Sequence, residues 1–237
     1  MKKQLLLVLS PLATLPLHGT VIYTDDFNDN TNTGWTYINR DGATEIADAS
    51  WLETGGRLEQ QTANYDFPRD AQNDPVLGAI GLAPVSVGGV YSISVDFTSL
   101  EPGNSNQDQD FVFGYLDADN FLMVETIANG GLNFFNVIGG NRTTLGSSSI
   151  SFSHATTNVL LEHDATIGEV TVTYGGGSPF TFSDPSFIFA GTRSVGVGSN
   201  NDAFAIDNFI VTQIPEPSTL GLACLSSLLF GRRRKSS

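Results

Sequence analysis

Apolar and polar residues alternate strictly in Tyr91-Ser-Ile-Ser-Val-Asp-Phe97, which places Tyr91, Ile93, Val95 and Phe97 on one face of an extended strand. The same period of two runs through Asp110 to Leu116, Phe121 to Ile127, Glu169 to Tyr174, Ser194 to Gly198 and Ala203 to Val211. No stretch of the body sustains the 3.6-residue period of a helix with one buried face. Between the alternating runs stand Gly88-Gly89, Pro102-Gly103, Asp117-Ala-Asp-Asn120, Asn129-Gly130-Gly131, Gly139-Gly140-Asn141, Gly175-Gly176-Gly177 and Ser199-Asn-Asn-Asp202. Glycine, proline, Asn and Asp serve turns by supplying unusual backbone angles or by bonding their own backbone. Many short strands so punctuated predict an all-β sandwich or jelly roll, not alternating strands and helices. Residues 20–213 read as one domain without internal repeats.

The two ends break this pattern. Met1-Lys2-Lys3 followed by the apolar run Gln4 to Leu17, interrupted by Ser10, Pro11 and Pro16, has the anatomy of a secretory signal peptide. Cleavage after Gly19 assigns residues 1–19 to it. At the other end, Pro215-Glu216-Pro217-Ser218 precedes an uncharged run from Thr219 to Phe230, then Gly231 and Arg232-Arg233-Arg234-Lys235. The run is about 12 residues, whereas a helix spanning a bilayer needs roughly 20. A short hydrophobic helix with a basic stop on the cytoplasmic side suits a removable anchor better than a permanent transmembrane helix. Residues 214–237 resemble the PEP-CTERM sorting signal of Gram-negative bacteria. The resemblance implies export, a transient stay in the inner membrane, processing by an exosortase near Pro-Glu-Pro, and a final place at the cell surface or in the extracellular matrix, beside exopolysaccharide machinery.

Setting the ends aside changes the charge. The body through Ile214 holds 24 acids against five bases, Arg40, Arg57, Arg69, Arg142 and Arg193, a net charge of −19 without a single lysine. Such a surface repels nucleic acid and anionic lipid and leaves divalent cations and neutral sugars as compatible partners. The one cysteine, Cys224, lies in the tail, so the body folds without disulfides despite its oxidising destination.

Two features carry a more specific resemblance. Asp110-Phe-Val-Phe-Gly-Tyr-Leu-Asp-Ala-Asp-Asn-Phe-Leu-Met-Val-Glu125 resembles a hairpin of the concanavalin A-like and laminin-G-like (LamG-like) jelly rolls. Asp25-Asp26-Phe27-Asn28 near the mature start and Phe204 to Val211 near the end are similar to the terminal strands that lie side by side in laminarinase-type domains, with Trp35, Trp51 and Gly56-Arg57-Leu58 in the expected order. The resemblance implies a concanavalin A-like jelly-roll β-sandwich. It also implies a structural Ca2+ held in part by the last strand, with Asp26, Asn28 and Asp207 as candidate ligands because calcium takes six to eight oxygens. Asp117-x-Asp119-Asn120 is better read as the turn of its hairpin than as a cation loop.

Catalytic signals are sparse. The Glu-x-Asp-x-Glu strand of laminarinase-type glucanases, which sets two carboxylates at the separation for retaining chemistry, is missing. Glu125 has no acidic partner two or four residues away. Glu162-His163-Asp164 precedes a strand-turn-strand pattern and reads as structural. Trp35, Trp51, Tyr65 and Tyr115 are candidates for stacking on sugar rings, although most aromatics of a sandwich enter its core. The expectation is a non-enzymatic exported protein that binds polysaccharide or serves structurally, with a carbohydrate-active enzyme, hydrolase or lyase, as the alternative.

Overall fold

Alternation becomes visible as strand pairing in the computed structural model, which describes residues 19–29, 31, 34–39, 51–61, 79–101, 108–199 and 203–215. All of these fall within one compact unit, Gly19–Glu216. The strands are β1 (Thr20–Asp25), β2 (Thr36–Asn39), β3 (Trp51–Glu53), β4 (Leu58–Gln60) and β5 (Ala79–Val87). There follow β6 (Val90–Ser99), β7 (Asp108–Asp117), β8 (Asn120–Ile127), β9 (Gly131–Ile138) and β10 (Asn141–Ser149). The last are β11 (Thr157–Asp164), β12 (Glu169–Tyr174), β13 (Phe180–Ser183), β14 (Arg193–Ser199) and β15 (Phe204–Ile214). One 3-10 turn, Pro185–Phe187, is the helical element among the described residues, and no described helix is long and apolar enough to cross a membrane. The expected C-terminal helix lies outside the described residues.

The strands form two antiparallel sheets. Sheet A runs β13-β12-β11-β6-β15-β4-β3, with β1 also paired to β15, and sheet B runs β10-β9-β8-β7-β14-β5-β2. This is a jelly-roll β-sandwich, as the alternation predicts. The expected neighbourhood of the terminal strands is observed: β1 pairs with β15 from Thr20 opposite Gln213 to Asp25 opposite Phe209.

Between the sheets lies the main core, which includes Tyr91, Ile93, Val95 and Phe97 of β6, Phe111 and Phe113 of β7, and Phe134 of β9. The four β6 residues are those that the alternation assigns to one face. Sheet B buries its other face as well, through a second cluster of Ile80, Leu82, Val112, Phe121, Met123, Phe135 and Val137.

The hairpin turns behave as read from sequence. Asp117 Oδ1 accepts from the Asp119 N–H (2.9 Å) and from Asn120 Nδ2 (2.7 Å), which closes the β7–β8 turn on its own backbone. Gly196 of β14 has a different role. A Cβ there would run into the Gly81 carbonyl oxygen of β5, so the glycine permits the close approach of these two central strands.

Candidate functional site

Polar chemistry gathers in three places. The first is the end of the β1–β15 ladder. Tyr23 Oη donates to Asp25 Oδ2 (2.8 Å), and Trp35 Nε1 donates to the same oxygen (2.9 Å). Trp35 packs on Phe27 and Phe209, so its ring is core and its N–H anchors the acid beside it. Asp26 Oδ1 accepts from the Asn28 N–H at 3.3 Å, and contacts with Asn28 hold the exposed Asp26 carboxyl below the usual carboxylate range. Asp207 lies on β15 and its Oδ1 accepts from the Asn208 N–H at 2.7 Å. Because Asp25 stands opposite Phe209, Asp26 and Asp207 leave the same end of one ladder. Asn28 lies over Gly56, where an added Cβ would come within 2.7 Å of its Oδ1.

A recess of about 360 Å³ at this end is lined by Thr24, Asp25, Asp26, Asp29 and Thr31. Behind it sits Glu53 of β3, only 8% exposed. Burial, then the facing Asp29 carboxyl, push Glu53 up to about 7. Nothing in the sequence pattern singles out Glu53, because β3 is three residues long and its neighbours in space come from distant loops.

The second place is on sheet B. Phe111 and Phe113 point into the main core, so Asp108, Asp110 and Val112 point to the opposite face. Asp110 stands opposite Glu125 of β8, and carboxylate oxygens of Asp108, Asp110 and Glu125 lie within 4.8 Å of one another. Asn133 Nδ2 donates to Glu125 Oε2 at 2.9 Å, Arg142 Nη1 is 3.6 Å from Glu125 Oε1, and Ser199 Oγ donates to Asp108 Oδ1 at 3.4 Å. Arg142 also lies over the Phe135 ring, 4.4 Å from its centroid. The spacing of the acids is close to the roughly 5 Å of retaining glycosidases. Yet Asp110 is 0% exposed, and Glu125 is 5% exposed and paired with Arg142, which suits buried structural acids better than open catalytic ones.

The third is His163, buried between the sheets. Its Nδ1 and the Tyr91 hydroxyl share a 2.8 Å hydrogen bond, and Nε2 lies 2.9 Å from the Phe187 carbonyl oxygen. Glu162 points to solvent and Asp164 bonds Thr166, so the Glu162-His163-Asp164 triplet is split across two faces. Its reading as strand, turn and strand matches β11 and β12.

Among the aromatic candidates, Trp35 and Trp51 are each 7% exposed and belong to the main core. Trp51 stacks on Tyr37 with centroids 5.3 Å apart, and the half-buried Tyr115 stacks on Phe121 at 6.1 Å. Tyr65 lies outside the described residues. Pro215 follows β15 and is exposed, whereas Glu216, Pro217, Ser218, Arg232, Arg233 and Arg234 lie outside the described residues, as do residues 1–18 of the expected signal peptide.

Residues 213–235 match the PEP-CTERM protein-sorting motif. This motif marks an exported protein that passes through a membrane-anchored intermediate and is processed by an exosortase. None of the curated proteins matches the chain in sequence. Among solved structures the sandwich is similar to the carbohydrate-binding module CBM66 from Bacillus subtilis, at 14% identity and a TM-score of 0.55, over 76% of this chain and 96% of that one. It is also similar to a Bacillus subtilis protein of unknown function with a galectin-like fold, at 11% identity and a TM-score of 0.56, over 82% and 96% of the two chains. A third likeness is to the GH43 protein BlXynB from Bacillus licheniformis, at 20% identity and a TM-score of 0.56, over 80% of this chain but 39% of that one. At these identities the likeness establishes the fold: the chain carries a carbohydrate-module-like, galectin-like jelly roll followed by a C-terminal sorting motif.

Proposed function

We propose that this is a non-enzymatic protein of the Gram-negative cell surface or extracellular matrix whose sandwich binds extracellular polysaccharide. The observation that carries the reading is the fold: the chain spans 96% of a carbohydrate-binding module with one continuous sandwich. Its sorting motif adds a destination compatible with such a ligand. The enzyme alternative draws on the Asp108, Asp110 and Glu125 trio, and the burial of those acids weighs against it.

The full-length chain, solubilised in mild detergent, is expected to retain glycans on an array and to release no reducing sugar from them. Turnover abolished by Glu125→Gln would establish the enzyme instead. Failure to retain any glycan would end the carbohydrate reading.

A structural calcium belongs to the same proposal. Asp26, Asn28 and Asp207 offer only oxygen donors, which suits a hard cation, and Asn28 is cradled against a glycine that leaves room for it. Bound there, calcium would tie the first strand to the last. It is expected to raise the melting temperature over that in chelator, and Asp207→Asn is expected to remove the difference. An identical midpoint in both conditions would exclude the site.

A further inference from the structure

At one end of the sandwich, where β10 gives way to β11 and β12 turns into β13, lies a cleft of about 840 Å³. That is within the range of small-ligand sites, roughly 300–1,000 Å³. Its lining includes the hydroxyl residues Ser148, Ser151, Thr156 and Ser178 together with Asn158, and its aromatic surface comes from Tyr174 and Phe180. None of the described residues that line it is charged, and the nearest acid in hydrogen-bond contact with the lining is Asp96, whose carboxylate accepts from Asn158 Nδ2 at 2.8 Å. On a body of net charge −19, an uncharged concavity of this size is a local exception.

The cleft is also held in shape. The Tyr174 hydroxyl accepts from the Ser153 N–H at 3.0 Å and donates to the Ser153 carbonyl oxygen at 3.3 Å. Phe152 stacks on its ring, with centroids 5.9 Å apart and planes 26° apart. Phe180 is half-buried and rests on Phe134 at 5.7 Å, which leaves part of its ring facing the cleft. The neighbouring Gly175-Gly176-Gly177 turn adds no side chain to the rim, and nothing lies within 4 Å of a Cβ built on Gly176.

We propose that this cleft binds an uncharged segment of polysaccharide, with a pyranose ring against Phe180 and its hydroxyls bonded to the serine and threonine side chains. The proposal rests on the carbohydrate reading above and adds to it a place and a ligand class. Three features select that class. Hydroxyl groups both donate and accept, as sugar hydroxyls require. An aromatic face suits the apolar C–H side of a pyranose ring. The acidic body repels polymers rich in uronic acid or sulfate.

The test uses the full-length chain on an array holding neutral oligosaccharides and uronic-acid oligosaccharides side by side. Retention of neutral members is expected, and Phe180→Ala is expected to weaken it about tenfold. Because Phe180 also packs on Phe134, Ser151→Glu and Ser178→Glu provide a second arm. Both sites are exposed, so melting should stay at the wild-type value while the added bulk and charge in the mouth lower affinity at least tenfold. Undiminished binding by both glutamate variants would overturn the cleft and leave the carbohydrate reading standing. Preference for uronic-acid members would overturn the neutral class. A wild-type chain that retains no glycan would sink the carbohydrate reading and the cleft with it.

Discussion

Phe134→Ala is expected to lower the melting temperature by about 10 °C. Phe134 is 0% exposed, and its ring meets Phe180 at 5.7 Å, Phe182 at 5.1 Å and Phe187 at 6.4 Å. It therefore joins sheet B to β13 of sheet A and to the 3-10 turn at once. Losing a buried Phe costs about 3–5 kcal/mol, because the removed ring takes its transfer energy with it and leaves a cavity. Relaxation is limited at this position, since the surrounding rings are held by β13 and by the 3-10 turn. Each kcal/mol moves the midpoint by about 2–4 °C in a domain of this size. Leu116→Ala is the control: Leu116 is 59% exposed, and its truncation should leave the melting curve unchanged. Scanning calorimetry of both variants decides the matter. A Phe134→Ala midpoint close to wild type would mean that the sandwich does not close around this ring.

The fold is legible where one face of a strand is wet. β6 and β12 alternate in burial along their whole length, and the sequence alternates with them. β9, Gly-Leu-Asn-Phe-Phe-Asn-Val-Ile, does not announce itself, because Phe134 enters the main core while Phe135 enters the second apolar cluster. A strand buried on both faces loses its period of two. β10 is hidden for the opposite reason: it is a hydroxyl-rich edge strand with no buried residue.

The acidic trio shows a different limit. Counting outward from Asp117 opposite Asn120 would pair Asp110 with Ile127. The register shifts between Phe113 and Asp117, so that Asp110 faces Glu125 instead. Gly114, with φ +58°, lies in the irregular stretch and lets the strand bulge there. A search for acids along one strand could not find a pair made across two. Glu53 and the cleft were beyond reach for a related reason, since loops far apart in sequence supply their surroundings.

Acidification is expected to remove the stability that His163 contributes to the fold. Burial lowers this imidazole to about 4, while an exposed histidine titrates near 6.5. The unfolded chain therefore takes up a proton at a pH where the native state refuses one. The stability held by neutral His163 is complete above about pH 6.5 and drains away as pH falls through 4. The shift is worth roughly 3 kcal/mol. Neutral His163 fits its site, with Tyr91 on one nitrogen and the Phe187 carbonyl on the other, and rings of Phe113 and Phe189 at 5.1 and 5.4 Å. An imidazolium there would lack water and a close counter-charge, Asp164 offering only a weak pull. Glu53 works in the opposite sense. Its native value near 7 lies above that of an exposed glutamate, so it favours the folded state below about pH 4.5 and loses that contribution as pH rises through 7. Between about pH 4.5 and 6.5 the two contributions run in opposite senses and largely offset, so the part due to His163 is read as the difference between wild type and a variant that lacks the imidazole. Urea unfolding of His163→Gln and wild type at pH 7 and pH 4.5 separates their contributions. The variant should be less stable than wild type at pH 7, because its amide matches the two hydrogen bonds poorly, yet it should lose less on acidification. Equal acid losses in the two proteins would show that the imidazole is not the group that titrates.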